Sequence, residues 1–190
     1  KIPYKDKLIL RGQAVISYPD FKAINADIPE GQEKYSNARN LASGSIRQLD
    51  SEIAAKRKLR WIAFRVETPP DGMDEVTEQF NWLSSMGFEV VPHTVVTKQN
   101  LIKVISDYEE YIRDYEVPSD GLVVTYTNYS YGLSLGNSAK FPKHSMAFKW
   151  QDEVERTTLR EVVWRTSKSG VINPVAYFDT VQLEGTCVQR

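Results

Sequence analysis

The amino-acid sequence predicts an α+β domain with mostly antiparallel sheets, followed by the opening strands of an all-β module. Three observations support this. Up to Pro118, β-branched runs alternate with segments whose apolar residues recur at helical spacing, whereas short hairpin-like strands dominate afterwards. Hydrophobic residues make up 41% and charged residues 26% of 190 residues, the proportions of one globular domain or one domain plus part of another. No apolar run approaches the ~20 residues that cross a bilayer, and lysines and an aspartate interrupt the N-terminal KIPYKDKLIL, so neither a membrane span nor a signal peptide is read there.

The elements follow in order. LILRGQAVIS (8–17) is β-branched and apolar enough for a strand, and Ser17 is placed to cap a helix that has Pro19 near its first turn. The polar stretch 26–37 reads as a loop. Ala38 to Gln48 has helical composition but carries Gly44, which predicts one short or broken helix. Asp50 is a natural N-cap, with Glu52 in the first turn and Lys56, Arg57 and Lys58 at the end, as the helix dipole favours. LRWIAFRVE (59–67) reads as a buried strand, and Asp74 to Met86 as an amphipathic helix ended by Gly87. FEVVPHTVV is a strand weakened by Pro92 and so expected at a sheet edge. Leu101, Ile105, Tyr108 and Ile112 mark a further amphipathic helix. GLVVTYT, SMAFKW, VERTTLREVVW, VINPVAYF and TVQLEGTCV complete the chain as strands.

Composition also removes chemistry. Cys187 is the single cysteine, which forbids an internal disulfide and fits a reducing cytoplasm. With only His93 and His144 beside it, no zinc site of the usual Cys/His kinds can be built. The common Gly-rich phosphate loops are absent, and a net charge of −1 gives no global attraction to nucleic acid. Local charge is uneven, however. Arg39 to Arg60 holds six basic residues against two acids, and Asp107 to Asp120 holds six acids against one arginine. Such runs are commonly solvated helix faces. The basic run differs because Arg39 and Arg47 lie among small residues (NARNLASGSIRQ), which let an anion approach the backbone while arginine forks grip phosphate oxygens. Asp120 in PSDG stands at the mouth of a strand, Lys149 sits between Phe148 and Trp150, and Arg11 interrupts another apolar strand. A turn aspartate and snorkelling cations are the plain readings of those three.

Taken in order, LILRGQ, NARNLASGSIRQLD, AAKRKLRWIAF, SDGLVVT, AFKW and GVINPVAYFDTVQLEGTCVQR resemble successive motifs of the adenylation domain of bacterial NAD-dependent DNA ligases. The resemblance covers essentially the whole chain, and its most specific part is the run from Asn37 to Asp50. It implies an adenylation domain of the nucleotidyltransferase type over residues 1–152 and the truncated start of an oligonucleotide-binding (OB) barrel over 153–190. It implies that AMP passes from NAD to an enzyme lysine and then to the 5′-phosphate of nicked DNA, with magnesium assisting. In that reading Lys149 neutralises charge on the α-phosphate as the transition state forms. Arg39 and Arg47 engage phosphate of the nucleotide or of the nicked strand, and Phe64 stacks on adenine. Asp120 assists lysine activation or binds magnesium. Arg11 and Gln13 belong to the motif facing the ribose, Val123 lines the base pocket, and Thr125 stands on the phosphate side.

Three positions depart from the family pattern. No lysine-x-aspartate-glycine tetrapeptide occurs, so the covalent nucleophile is expected on a missing N-terminal portion, either of the same parent chain or of a second subunit. The family's arginine-glycine-glutamate is Arg11-Gly12-Gln13, which keeps hydrogen bonding but drops a charge. The lysine that ends the strand after aspartate-glycine is Thr125. These departures also admit a ligase-like module that binds nucleotide or nicked double-stranded DNA without catalysis.

Overall fold

The computed structural model describes residues 2–150, 154–183 and 186–190, and it divides into two compact units, Lys1–Trp150 and Gln151–Arg190. The boundary expected at 152–153 lies outside the described residues.

In the first unit, β1 (Leu10–Val15) leads into α1 (Tyr18–Ala26), whose N-cap Ser17 accepts a hydrogen bond from the Asp20 amide. Next come α2 (Ala38–Ile46), α3 (Ser51–Lys56) and β2 (Arg60–Val66). Asp50 caps α3 through the Glu52 amide, as its position predicted. Gly44 does not break α2, because Leu41, Ala42 and Ser45 are buried on one face and hold it by packing. Then follow α4 (Val76–Ser85), β3 (Glu89–Val90) and α5 (Leu101–Arg113). Gln79 is buried within α4 and donates to the Met73 carbonyl, 3.0 Å away, which satisfies its amide. β4 (Gly121–Thr125), α6 (Tyr129–Ser134) and β5 (Ser145–Lys149) close the unit.

β1 and β2 pair antiparallel, and β3 adds parallel to β2 at the sheet edge. The strand expected over FEVVPHTVV is therefore only two residues long; it stops short of Pro92, which has no N–H to donate. The segment between β4 and β5 carries α6, a helix that the sequence reading did not anticipate.

The β1–β2 ladder has one irregularity that governs everything on that sheet. Arg11 faces Arg65 and Gly12 faces Ala63, so Phe64 is an extra residue without a partner, a β-bulge. Side chains three apart, Ala63 and Val66, consequently share one core with Leu83, while Ile62 joins Val15 and Val117 in another. A regular strand would send Ala63 and Val66 to opposite faces. Gly12 is required beside the bulge: a Cβ there would lie 2.3 Å from the Trp61 ring and 2.7 Å from the Ile62 carbonyl oxygen.

The second unit consists of two hairpins, β6 (Leu159–Thr166) with β7 (Ile172–Phe178), and β8 (Val181–Leu183) with β9 (Thr186–Val188). Among its described residues none is buried.

Candidate functional site

The site is assembled by strand register. β4 and β5 pair antiparallel with Gly121 opposite Lys149, so the residue before β4, Asp120, stands beside the lysine that ends β5. The Lys149 ammonium donates to Asp120 Oδ2 at 3.2 Å. Gly121 permits this approach, since a Cβ would fall 2.4 Å from the Phe148 carbonyl oxygen and 3.3 Å from Lys149 Cγ. The second cation arrives from α2. Its N-cap, Asn37, accepts from the amides of Arg39 and Asn40, which fixes the first turn, and an Arg39 guanidinium nitrogen reaches the same Asp120 oxygen at 3.6 Å. One carboxylate thus holds two cations contributed by residues 110 positions apart in the chain.

All three side chains are half-exposed, so these ion pairs contribute little to stability, on the order of 0–1 kcal/mol each. Their effect is on charge. The hydrogen bond from Lys149, and then the field of Arg39, hold the Asp120 carboxyl below the ordinary aspartate range. Two cations against one anion leave a local excess of positive charge directed at solvent, which suits a phosphate.

Other predicted positions take up definite places. Gln13, on β1, and Arg39 line a small cleft of about 10 Å³ together with Val15 and Pro118, so β1, α2 and the approach to β4 meet there. Arg11 pairs with Glu67 at 2.5 Å. Phe64, at the bulge, and Val123, on β4, are 46% and 69% exposed, large apolar surfaces open to an incoming ring. The Thr125 hydroxyl donates to the His144 carbonyl at 3.1 Å. Arg47 is the C-cap of α2, more than two turns from Arg39, and takes no part in the Asp120 cluster among the described contacts. A larger cleft of about 180 Å³ lies along α2, lined by Tyr35, Asn37, Asn40, Gly44, Gln48 and Arg57 among others, and includes none of the predicted site residues. The charge cluster defines the candidate site, because recognition of a phosphate depends on placed cations more than on enclosed volume.

A carboxylate flanked by lysine and arginine is a poor resident site for a divalent cation, because both neighbours repel it. Among the described residues no group of three potential metal-ligating side chains occurs. Sequence reading missed Arg65, Glu67 and His144, which form a polar link next to Phe64 and Thr125. Arg65 donates toward His144 Nε2 at 3.1 Å, and its Nε lies 3.2 Å from Glu67.

The first unit is thus a mixed α/β fold that gathers two cations around one carboxylate. Comparison with known proteins shows the family. The family model described as NAD-dependent DNA ligase adenylation domain matches residues 1–153, and the chain belongs to that family. A DNA ligase of Lachnoclostridium phytofermentans is 48% identical over 195 residues, covering all of this chain and 29% of that protein. A DNA ligase of Ruminiclostridium cellulolyticum is 44% identical over 191 residues, with the same two shares. One from Lactobacillus gasseri is 32% identical over 188 residues, covering 95% of this chain and 28% of its own length. The chain therefore spans under a third of the curated relatives it matches. Among the described residues no helix is long and apolar enough to cross a membrane.

Proposed function

We propose that this chain is the adenylate- and phosphate-binding part of an NAD-dependent DNA ligase, an enzyme that moves AMP from NAD to a lysine and then to the 5′-phosphate of a DNA nick. The observation that carries this reading is the Asp120 carboxylate shared by Lys149 and Arg39. When the nucleotide enters, its α-phosphate takes the place of that carboxylate between the two cations. Lys149 then opposes the charge that builds on the phosphoryl oxygens during transfer. Asp120, kept ionised, holds the lysine ammonium in position until the phosphate arrives. Phe64 supplies the ring that stacks on adenine and Val123 an apolar wall. Gln13 hydrogen-bonds a ribose hydroxyl. Thr125 stands on the phosphate side, and Arg11, tied to Glu67, braces the strand that carries Gln13. Arg47 is assigned to the phosphates of the nicked strand.

The sequence has no lysine-x-aspartate-glycine, so the nucleophile of this reading belongs to a portion outside these 190 residues, on the same parent chain or on a second subunit. Magnesium enters as the companion of the nucleotide phosphates, because the donor set at Asp120 makes no closed site for it. Unit two serves as the opening strands of an OB barrel, which is consistent with its long, solvent-facing β6–β7 hairpin. The cytoplasm is the expected location, from the lone cysteine.

The test is NAD binding to this chain by titration calorimetry, with Lys149→Ala as the comparison. Losing one ionic contact to a phosphate removes about 1.5–3 kcal/mol, so affinity falls roughly 10- to 100-fold. Equal affinity for the two proteins overturns the assignment. Binding without any transfer of AMP, once a lysine-x-aspartate-glycine segment is supplied, selects the non-catalytic module instead. That outcome is favoured by Thr125, whose hydroxyl is engaged with a backbone carbonyl where the family pattern has a charge.

A further inference from the structure

The β1–β2–β3 sheet and the β4–β5 hairpin carry the two halves of the proposed nucleotide site, Phe64 and Gln13 on one and Asp120, Val123 and Lys149 on the other. One side-chain link joins them beside Phe64 and Thr125. Arg65, the residue after the bulge, donates toward Nε2 of His144, the residue before β5, at 3.1 Å. His144 is in turn fixed by its backbone: its carbonyl accepts from the Thr125 hydroxyl at 3.1 Å and from the Tyr126 amide at 3.2 Å. Gly132 of α6 sits against its side chain, close enough that a Cβ there would be 3.2 Å from His144 Cβ. The link therefore runs from the neighbour of Phe64 to the residue that holds Thr125.

We infer that Arg65 and His144 are positioning residues, a clasp that sets the spacing between the Phe64 wall and the Thr125 wall and that holds only while the imidazole is neutral. A guanidinium has donors and no acceptor, so it can bond Nε2 only when that nitrogen is unprotonated. Protonation of His144 removes the acceptor and places two cations 3.1 Å apart.

The surroundings bias the imidazole toward neutrality. From the β2 side His144 meets Arg65 and Glu67, with Arg11 on the far side of Glu67. α6 presents Gly132, β4 presents the uncharged Thr125, and the residue after it, Tyr126, presents its amide. Partial burial, then the Arg65 charge, push the His144 pKa below its ordinary value of 6.5, while Glu67 opposes them. A histidine with a depressed folded pKa binds fewer protons in the native state than when unfolded. Its contribution is complete above about pH 6.5 and is lost as pH falls through the folded value.

The inference rests on the nucleotide-site reading, so the experiment separates the two. NAD is the probe, because its pyrophosphate does not change charge between about pH 5 and pH 8, the range in which histidine does. NAD affinity of the 190-residue chain is measured across that range, together with the His144 titration by NMR. In the parent chain affinity falls about tenfold as His144 protonates, the equivalent of one pK unit of coupling. His144→Gln keeps a neutral acceptor, so its affinity stays level across the range. Arg65→Met binds weakly at every pH and raises the His144 pKa. His93→Gln, at the one other histidine, keeps the parent profile. Identical pH profiles for the parent and His144→Gln overturn the clasp, as does full affinity in Arg65→Met. If the parent binds no NAD at any pH, the nucleotide-site reading fails. The His144 titration then decides the clasp alone: a rise in Arg65→Met supports it, and an unchanged value overturns it.

Discussion

Asp120 shows how a residue that looks ordinary in sequence acquires a role from register. An aspartate before glycine reads as a turn, and nothing in the spacing announces that Lys149, 29 positions later, will stand against it. The pairing of Gly121 with Lys149 decides it. Because Lys149 donates to it and Arg39 lies near, Asp120 stays ionised below the usual aspartate range. We expect carboxyl NMR to place its midpoint below the ordinary 3.8, and Lys149→Ala to bring it back toward that value. A midpoint indifferent to Lys149 would contradict the shared-carboxylate geometry. The sign follows from linkage: a depressed carboxyl stabilises the fold above about 3.8 and ceases to as pH falls through the lower folded value. The cations at Arg39 and Lys149 were legible as residue types. Their meeting at one oxygen was not, because it depends on contacts between distant parts of the chain.

Helix capping was the most readable feature among the elements. Ser17 and Asp50 cap α1 and α3 where short polar side chains before helical composition said they would. Asn37, read only as the end of a loop, caps α2 as well, and there the cap has a functional consequence, because Arg39 lies in the turn it fixes. Asn37→Ala is expected to lower stability by about 1 kcal/mol and to weaken NAD binding as well, by loosening Arg39. Chemical denaturation and calorimetry measure the two effects. A stability loss with unchanged affinity would show that the first turn of α2 does not set the arginine. α6 escaped notice for a physical reason. Its sequence YSYGLS holds two serines, two tyrosines and a glycine, all weak helix formers, and tertiary contacts hold it instead. Asn128 caps it through the Tyr131 amide and donates to Asp74, whose carboxylate also takes the Ser130 amide. The two bonds to Asp74 span more than fifty residues and leave no local pattern to read.

The molecule as a whole is two units of unequal self-sufficiency. Among the described residues, unit one has three small apolar cores and the side-chain links given above, whereas unit two shows no buried residue. Val162, Trp164 and Ile172 are exposed on its main hairpin. An isolated two-stranded hairpin is marginal in water. A peptide of residues 151–190 is therefore expected to give a disordered circular dichroism spectrum, while residues 1–150 keep a cooperative melt. A folded 151–190 peptide would refute this division. The alternation of α and β up to Pro118, followed by hairpins, was visible in the sequence because it depends on local periodicity.

The unpaired Phe64 on β2 has a consequence for how this strand tolerates change. It stands outside the ladder, so the residues on either side of it keep the alternation of an unbroken strand and Ala63 and Val66 reach the same core. Deleting that single residue would leave a regular ladder, with Arg65 still opposite Arg11 and Val66 still on the face of Ala63. Loss of Phe64 is thus expected to remove the aromatic proposed to meet the base while Ala63 and Val66 keep their place against Leu83.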